Sequence, residues 1–344
     1  MMHAMASVRF ADALHAVSAR SASDIHLVPG LQPAIRVDGR LEYLNGSRLS
    51  RDEVDAIGLD MLGADGVARV ERGEDVTRAW FGEESRALRV HGYRSSDGLA
   101  LAMRVLTHEV PTLDSLHLPP VVASLAQRSR GLVIFAGPTG SGKSTSLAAL
   151  IERINATSAR RVITIEDPIE YHHVSRRSTI VQREIGRDAE SYAGAIVGSL
   201  RADPDVLLIG EMREKETMAA VLTAAETGHL VFSTLHTGDA AGTIDRIVDA
   251  FAGSEQAQVR AQLSQVLAAV VCQRLVPRAG GLGRRALVEV LVATDAVRSI
   301  VRDGRTHQLR NAVLTGREAG MQTFEHHLSE LVARGEVDSE VALA

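Results

Sequence analysis

Cysteine is almost missing from this chain. Cys272 is the only one in 344 residues, so neither an intrachain disulfide nor a multi-cysteine zinc site can form. It ends the apolar run from Val266 to Cys272, the setting of a small core side chain. Aromatic residues make up only 3% and none is interleaved with a basic stretch, which removes the stacking platforms of a single-stranded nucleic-acid binder. The net charge of −5 adds no overall basic field for such a partner. No apolar run approaches the roughly 18 residues of a membrane span. The start, MMHAMASVRFADAL, lacks the basic segment and long apolar core of a signal peptide. These absences lead to the expectation of a cytoplasmic protein with no nucleic-acid partner.

Proline is scarce as well, and three of the nine, Pro111, Pro119 and Pro120, fall between residues 108 and 120. That density predicts a linker or hinge over 108–120. Before it, residues 1–107 read as a small α+β domain. Asp38-Gly39 between Ala34–Val37 and Leu41–Leu44 signals a hairpin. Ser50 and Glu53 make a capping box ahead of Val54, Ile57, Met61 and Leu62, one face of a helix. Ala87–Tyr93 and Leu99–Leu106 alternate as half-buried strands do. From 121 to 294 apolar strands, Val133–Ala136, Val162–Ile165, Val206–Ile209 and Leu230–Thr234, alternate with helices and loops, the pattern of a parallel sheet covered on both faces. Residues 295–344 read as helices, over Ala296–Arg302, His307–Leu314 and Phe324–Arg334. The expected fold class is therefore α/β, an N-terminal α+β domain followed by a phosphate-loop domain with a helical C-terminal region.

The stretch 131–145 carries the chemistry. After the apolar run Leu132–Ala136, the residues Gly137, Pro138, Thr139, Gly140, Ser141, Gly142, Lys143, Ser144 and Thr145 contain the pattern G-x-x-x-x-G-K-S/T without a mismatch. Glycine lets the backbone wrap phosphate oxygens and turn its N–H groups inward. Lys143 is placed to reach the β- and γ-phosphates, and the Ser144 hydroxyl to ligate Mg²⁺. The helix that follows, with Leu147, Leu150, Ile151 and Ile154 on one face, points its positive end at the nucleotide. ATP and Mg²⁺ are the cofactors this pattern predicts.

Ligands of doubly wound sheets sit at the carboxyl ends of the strands. Glu166, Asp167 and Glu170 follow one such strand, Glu211 a second and His236 a third. Glu211 stands where an acid that binds metal or orients water is expected. Glu166 or Asp167 can equally cap the next segment. His229 and His236 flank one strand, and seven extended residues span roughly 23 Å, so they do not share an ion; His236 fits a γ-phosphate sensor better. His172-His173 reads as exposed loop. Arg89 and Arg104 lie in N-terminal strands, either as surface groups or, in a ring, as fingers reaching a neighbour's phosphates.

The blocks ASDIHL (22–27), IRVDG (35–39), GPTGSGKST (137–145), TIEDPIEY (164–171), LRADPDVLLIGEMR (200–213) and TAAETGHLVFSTLHT (223–237) together resemble the PilT-type ATPases of type IV pilus machines, within the secretion ATPase superfamily. AVRSIVRD (296–303) and GMQTFEHHLSELVARGEV (320–337) are similar to the motif and C-terminal helices of the retraction branch. The single cysteine departs from the four-cysteine zinc insertion usual in extension and type II secretion ATPases.

The resemblance implies a PAS-like N-terminal domain, a RecA-like ATPase domain and a homohexameric motor that hydrolyses ATP to drive pilus retraction and twitching motility. Rotation about the 108–120 segment would carry the force. The motor would act at the cytoplasmic face of the inner membrane, on a platform protein there, touching the membrane only through partners. Glu170 matches the family's catalytic glutamate, Glu211 its Walker B glutamate beside Mg²⁺, and His229 and His236 its His-box pair. Arg246 matches an arginine near the nucleotide, and Arg89 and Arg104 match N-terminal arginines proposed to reach the phosphates. A further family arginine, in a segment like QNRG, aligns with Asp97 here, and Arg94 lies three residues earlier. Either Arg94 substitutes for it or the ring uses fewer arginines. The competing readings are an extension or type II secretion motor, a RecA-like nucleic-acid motor and a nucleotide-binding regulator.

Overall fold

The structure, a computed structural model, describes residues 2–20, 22–37, 40–82, 87–106, 110–280 and 283–342. The chain divides into two compact units, Met1–Glu109 with Asp167–His172, and Val110–Glu166 with His173–Ala344.

The first unit contains α1 (Met2–Arg20), β1 (Asp24–Leu27), β2 (Ala34–Val37), β3 (Arg40–Tyr43), α2 (Arg51–Glu71), β4 (Val76–Phe81), β5 (Ala87–Ser95) and β6 (Gly98–Leu106). Its strands form one sheet in the order β3-β2-β1-β6-β5-β4, antiparallel at every pairing. The alternation read in β5 and β6 puts Leu88, Val90, Leu101 and Met103 into a core shared with Val54, Ile57 and Leu62 of α2 and Leu14 and Val17 of α1. The strands flanking Asp38-Gly39 pair as a hairpin reading requires, although those two residues and His108 lie outside the described residues. The capping box is present, with Ser50 Oγ accepting from Glu53 N–H and the Glu53 carboxylate accepting from Ser50 N–H. Periodicity gave no sign that α2 continues past Leu62. It does so through Gly63, whose φ of 73° interrupts the helix, and the buried Arg78 guanidinium donates to the Leu62 carbonyl there.

The second unit begins with α3 (Leu113–Leu116) and α4 (Pro120–Ser124). These short helices occupy part of the 108–120 segment expected as a linker or hinge, and the boundary between the two units falls within that segment. Thr112 caps α3 through Ser115 N–H, and Leu113 and Val122 are buried in the same cluster as Phe135 and Leu150. There follow β7 (Gly131–Ala136), α5 (Lys143–Thr157), β8 (Arg161–Glu166), β9 (Thr179–Glu184), α6 (Tyr192–Ser199), β10 (Val206–Ile209), α7 (Lys215–Glu226), β11 (Leu230–Leu235), α8 (Ala240–Asp249), α9 (Gly253–Val266), β12 (Leu267–Pro277), β13 (Arg284–Val292), α10 (Asp295–Arg302), α11 (Leu309–Thr315) and α12 (Phe324–Ala333).

The sheet order is β13-β12-β7-β11-β10-β8-β9. All neighbours are parallel except β12 and β13, so the sheet is mixed where the sequence suggested a parallel one. Central strands are apolar on both faces because helices cover both. Leu132, Ile134, Leu207, Ile209 and Val231 point into one cluster with α7 and α8. Val133, Phe135, Val206, Leu208 and Phe232 point into the other with Leu147, Leu150, Ile151 and Ile154 of α5. Truncating a side chain such as Leu150, fully buried, to alanine costs about 2–5 kcal/mol. Cys272 lies in the cluster with α7 and α8, fully buried, and burial pushes its thiol pKa up.

Candidate nucleotide site

The phosphate loop follows β7, a strand held between β11 and β12 with every residue buried. Gly137 adopts a φ of 148°, and a Cβ there would collide with the Gln273 carbonyl. Gly142 caps α5 with a φ of 87°, and a Cβ there would stand 2.7 Å from Gln273 Nε2. Both positions therefore demand glycine. Lys143 is only 7% exposed. Its ammonium donates to the carbonyls of Gly137 (2.7 Å) and Pro138 (3.0 Å), so the charge lies against the loop backbone that a phosphate would meet. The Ser144 side chain, next in sequence, is exposed.

Gln273 on β12 went unnoticed in the sequence and is the loop's chief brace. Its Nε2 donates to the Ser141 carbonyl (2.8 Å), and its Oε1 accepts from Ser146 Oγ on α5 (2.9 Å). One buried amide thus ties the loop to the helix it launches. Nothing in local sequence marks Gln273, because it is 132 residues from Ser141 and reaches it only through the β12–β7 pairing.

Glu211 and His236 join the same edge of the sheet. Gly137 N–H donates to the Leu235 carbonyl (3.2 Å), which joins the loop to the end of β11. Thr234 Oγ1 donates to the Gly210 carbonyl (2.6 Å), and Met212 N–H donates to the Thr234 carbonyl (3.0 Å). These bonds fasten the Gly210–Met212 turn beside β11. The Glu211 carboxylate, 17% exposed, pairs with Arg213 Nε (2.8 Å) and lies 3.6 Å from His236 Nε2.

Other candidates lie elsewhere. His229 precedes β11 at its opposite end, where its carbonyl accepts from Gly131 N–H (3.0 Å) and its Nδ1 is within 2.9 Å of the Ala224 carbonyl. Within one chain it is not brought to the loop. Glu166 ends β8, and its Oε1 accepts from Thr164 Oγ1 (2.6 Å) and Gln182 Nε2 (3.2 Å), a structural engagement. Glu170 is in the first unit, paired with Arg89. Arg104 faces Asp24 across the β1–β6 pair (3.1 Å). Burial raises the Asp24 carboxyl pKa, but hydrogen bonds from Ser23 and Arg104 outweigh it and hold that pKa below its usual value. Arg94 donates to the Glu71 carbonyl (2.8 Å), and Arg246 is exposed on α8.

Of the pair expected as exposed loop, His172 is exposed but His173 is buried. Its backbone N–H donates to Gln182 Oε1 (2.8 Å), and its ring lies 3.3 Å from the Glu152 carboxylate of α5. Beside the site, burial pushes the Glu289 carboxyl pKa up while it accepts from Ala240 N–H at the start of α8 (3.0 Å).

No helix among the described residues is long and apolar enough to cross a membrane. The family model described as type II/IV secretion system protein matches residues 72–342. The chain is 41% identical to a type IV pilus retraction ATPase, PilT, of Pseudomonas aeruginosa, over 94% of each chain. It is also 41% identical to a twitching motility protein of Neisseria gonorrhoeae, over 90% of this chain and 83% of that one. A crystal structure of the pilus retraction motor PilT with bound ADP superposes with a TM-score of 0.87 at 38% identity, covering 96% of this chain and 95% of the other.

Proposed function

The chain belongs to the type II/IV secretion system protein family, and on that premise we propose that it hydrolyses ATP to drive retraction of a type IV pilus. The identity to a pilus retraction ATPase, 41% along 94% of both chains, carries this reading. The loop geometry supports the chemistry. Backbone N–H groups of the loop beyond Pro138 take the phosphates, and the Lys143 ammonium exchanges the Gly137 and Pro138 carbonyls for phosphate oxygens.

The Ser144 hydroxyl and a Glu211 oxygen suit Mg²⁺, a hard cation that takes few protein ligands beside phosphate. When bound, Mg²⁺ neutralises charge developing on the phosphates. Glu170 accepts the proton of the attacking water. For that, Arg89 has to release Oε1 or leave Oε2 to the water. His236, held next to Glu211, contacts the γ-phosphate, and Arg89, Arg104 and Arg246 supply positive charge to it. His229 lies a strand length from its own loop, so any part it takes in the chemistry requires a second copy. On the same reading the first unit is PAS-like and the second RecA-like. The working form is a homohexamer at the cytoplasmic face of the inner membrane, pulling on a platform protein.

A host strain carrying Lys143→Ala tests the proposal through its surface pili and motility. Many pili without retraction are expected. Bald cells would make the protein an assembly motor and overturn the retraction role, and normal piliation and motility would point to redundancy or to a role outside pili.

A further inference from the structure

A second site lies in the second unit at the amino ends of the strands, a strand length or roughly 20 Å from the phosphate loop. It is a cavity of about 580 Å³ lined by Arg128, Arg130, Arg298 and Arg302 against one carboxylate, Glu226. The lining also includes the last residues of α7, α9 and α10. Helix C-termini carry about −0.5 charge each, so the three offset roughly one and a half of the four guanidinium charges. With Glu226 included, positive charge remains in surplus.

Arg298 is accounted for by the helix ends alone. Its Nη1 donates to the carbonyls of Ser264 (2.6 Å) and Gln265 (2.7 Å) at the end of α9. The other three are not. Among the described residues Arg302 approaches only Asp303, at 3.9 Å with more than half its side chain exposed. The guanidinium groups of Arg128 and Arg130 make no hydrogen bond or ion pair with any described residue. Burial and the nearby Arg128 charge lower the Arg298 pKa and outweigh the opposing pull of Asp295, as expected where like charges are gathered.

We propose that this cavity docks an acidic peptide segment of a partner protein, whose carboxylates pair with Arg128, Arg130 and Arg302. Guanidinium forks match carboxylates in bidentate geometry. Phosphate sites are built from helix N-termini and inward-turned backbone N–H groups, whereas the helix ends here present carbonyls, which repel a dense dianion more than a single carboxylate. The lining contains no aromatic ring on which a base could stack. The volume accommodates several side chains of a strand or loop. The inference stands on the cavity and is independent of the retraction role.

The test uses the full chain and a fluorescein-labelled hexaglutamate peptide, read by anisotropy at low and physiological salt. Binding that weakens with salt is expected, and Arg128→Gln with Arg130→Gln should weaken it at least tenfold while ATP turnover stays within twofold. Neither side chain braces the fold, so turnover controls for folding. Glu226→Gln should tighten the peptide severalfold, a gain that misfolding cannot mimic. Equal binding by the parent and the double variant overturns the proposal. So does binding of inorganic pyrophosphate, or of phosphatidylglycerol vesicles, through the same arginines when hexaglutamate does not bind.

Discussion

Replacing Gln273 by leucine removes a buried amide of similar size and leaves two groups without partners, the Ser141 carbonyl and the Ser146 hydroxyl. Each orphaned buried group costs about 1–3 kcal/mol. The hydroxyl can rotate to a nearby carbonyl, so the total should fall near the low end, about 2–3 kcal/mol. For domains of about 150–250 residues each kcal/mol lowers Tm by roughly 2–4 °C, and a fall of about 5–10 °C follows. The bonds also fix the loop before nucleotide arrives. If half the cost is loop order that nucleotide must restore, ADP affinity falls roughly tenfold, since 1.4 kcal/mol is a factor of ten. Titration of a fluorescent ADP analogue measures this directly. Ser146→Ala removes one partner of the same amide, so the double variant should cost less than the sum of the two singles. Additive effects with ADP affinity within twofold of the parent would refute Gln273 as the brace.

Three further outcomes follow from the same geometry. Glu170→Gln should retain ATP and hydrolyse it at least a hundredfold more slowly in a phosphate-release assay; near-parental turnover would move the base role to another acid. Gly142→Ala forces a left-handed φ that costs about 1–2 kcal/mol and sets a methyl against Gln273, so isothermal titration should show ADP binding weakened tenfold or more. His327 on α12 is 3% exposed, and its Nδ1 accepts from Val288 N–H (3.1 Å). Burial lowers its pKa from 6.5 to about 4. The unfolded chain therefore binds the extra proton first. Stability from this group is complete above pH 6.5, declines as pH falls and is gone below about 4, a loss of about 3 kcal/mol. Urea unfolding from pH 7 to 4 should show this slope in the parent and a shallower one in His327→Gln.

Local pattern made much of this fold readable. The capping box at Ser50 and Glu53, the apolar runs of β7, β8, β10 and β11, and the loop glycines each bear their physics in consecutive residues. Glu211 and His236 were legible for a related reason, since strand ends in such sheets gather at one edge. Features that depend on distant pairing were hidden. Gln273 belongs to an apolar strand whose neighbour, β7, lies over a hundred residues upstream, so no spacing rule points to it. β12 and β13 form an antiparallel pair in an otherwise parallel sheet, and their apolar run reads from sequence only as core. His173 looked exposed because its neighbours are polar, and its Glu152 partner comes from α5. Proline density over 108–120 points to a break in periodic structure, and the boundary between the units falls there, but it does not reveal the short helices that Thr112 and Pro119 start.

The inclusion of Asp167–His172 in the first unit has a consequence for how such chains can be recombined. A chimera that trades residues 1–109 for those of a relative inherits one party to the Arg89–Glu170 pair from each parent. Inheritance of that unit is therefore in two pieces, and hybrids that exchange both together should keep the pair that single-crossover hybrids put at risk.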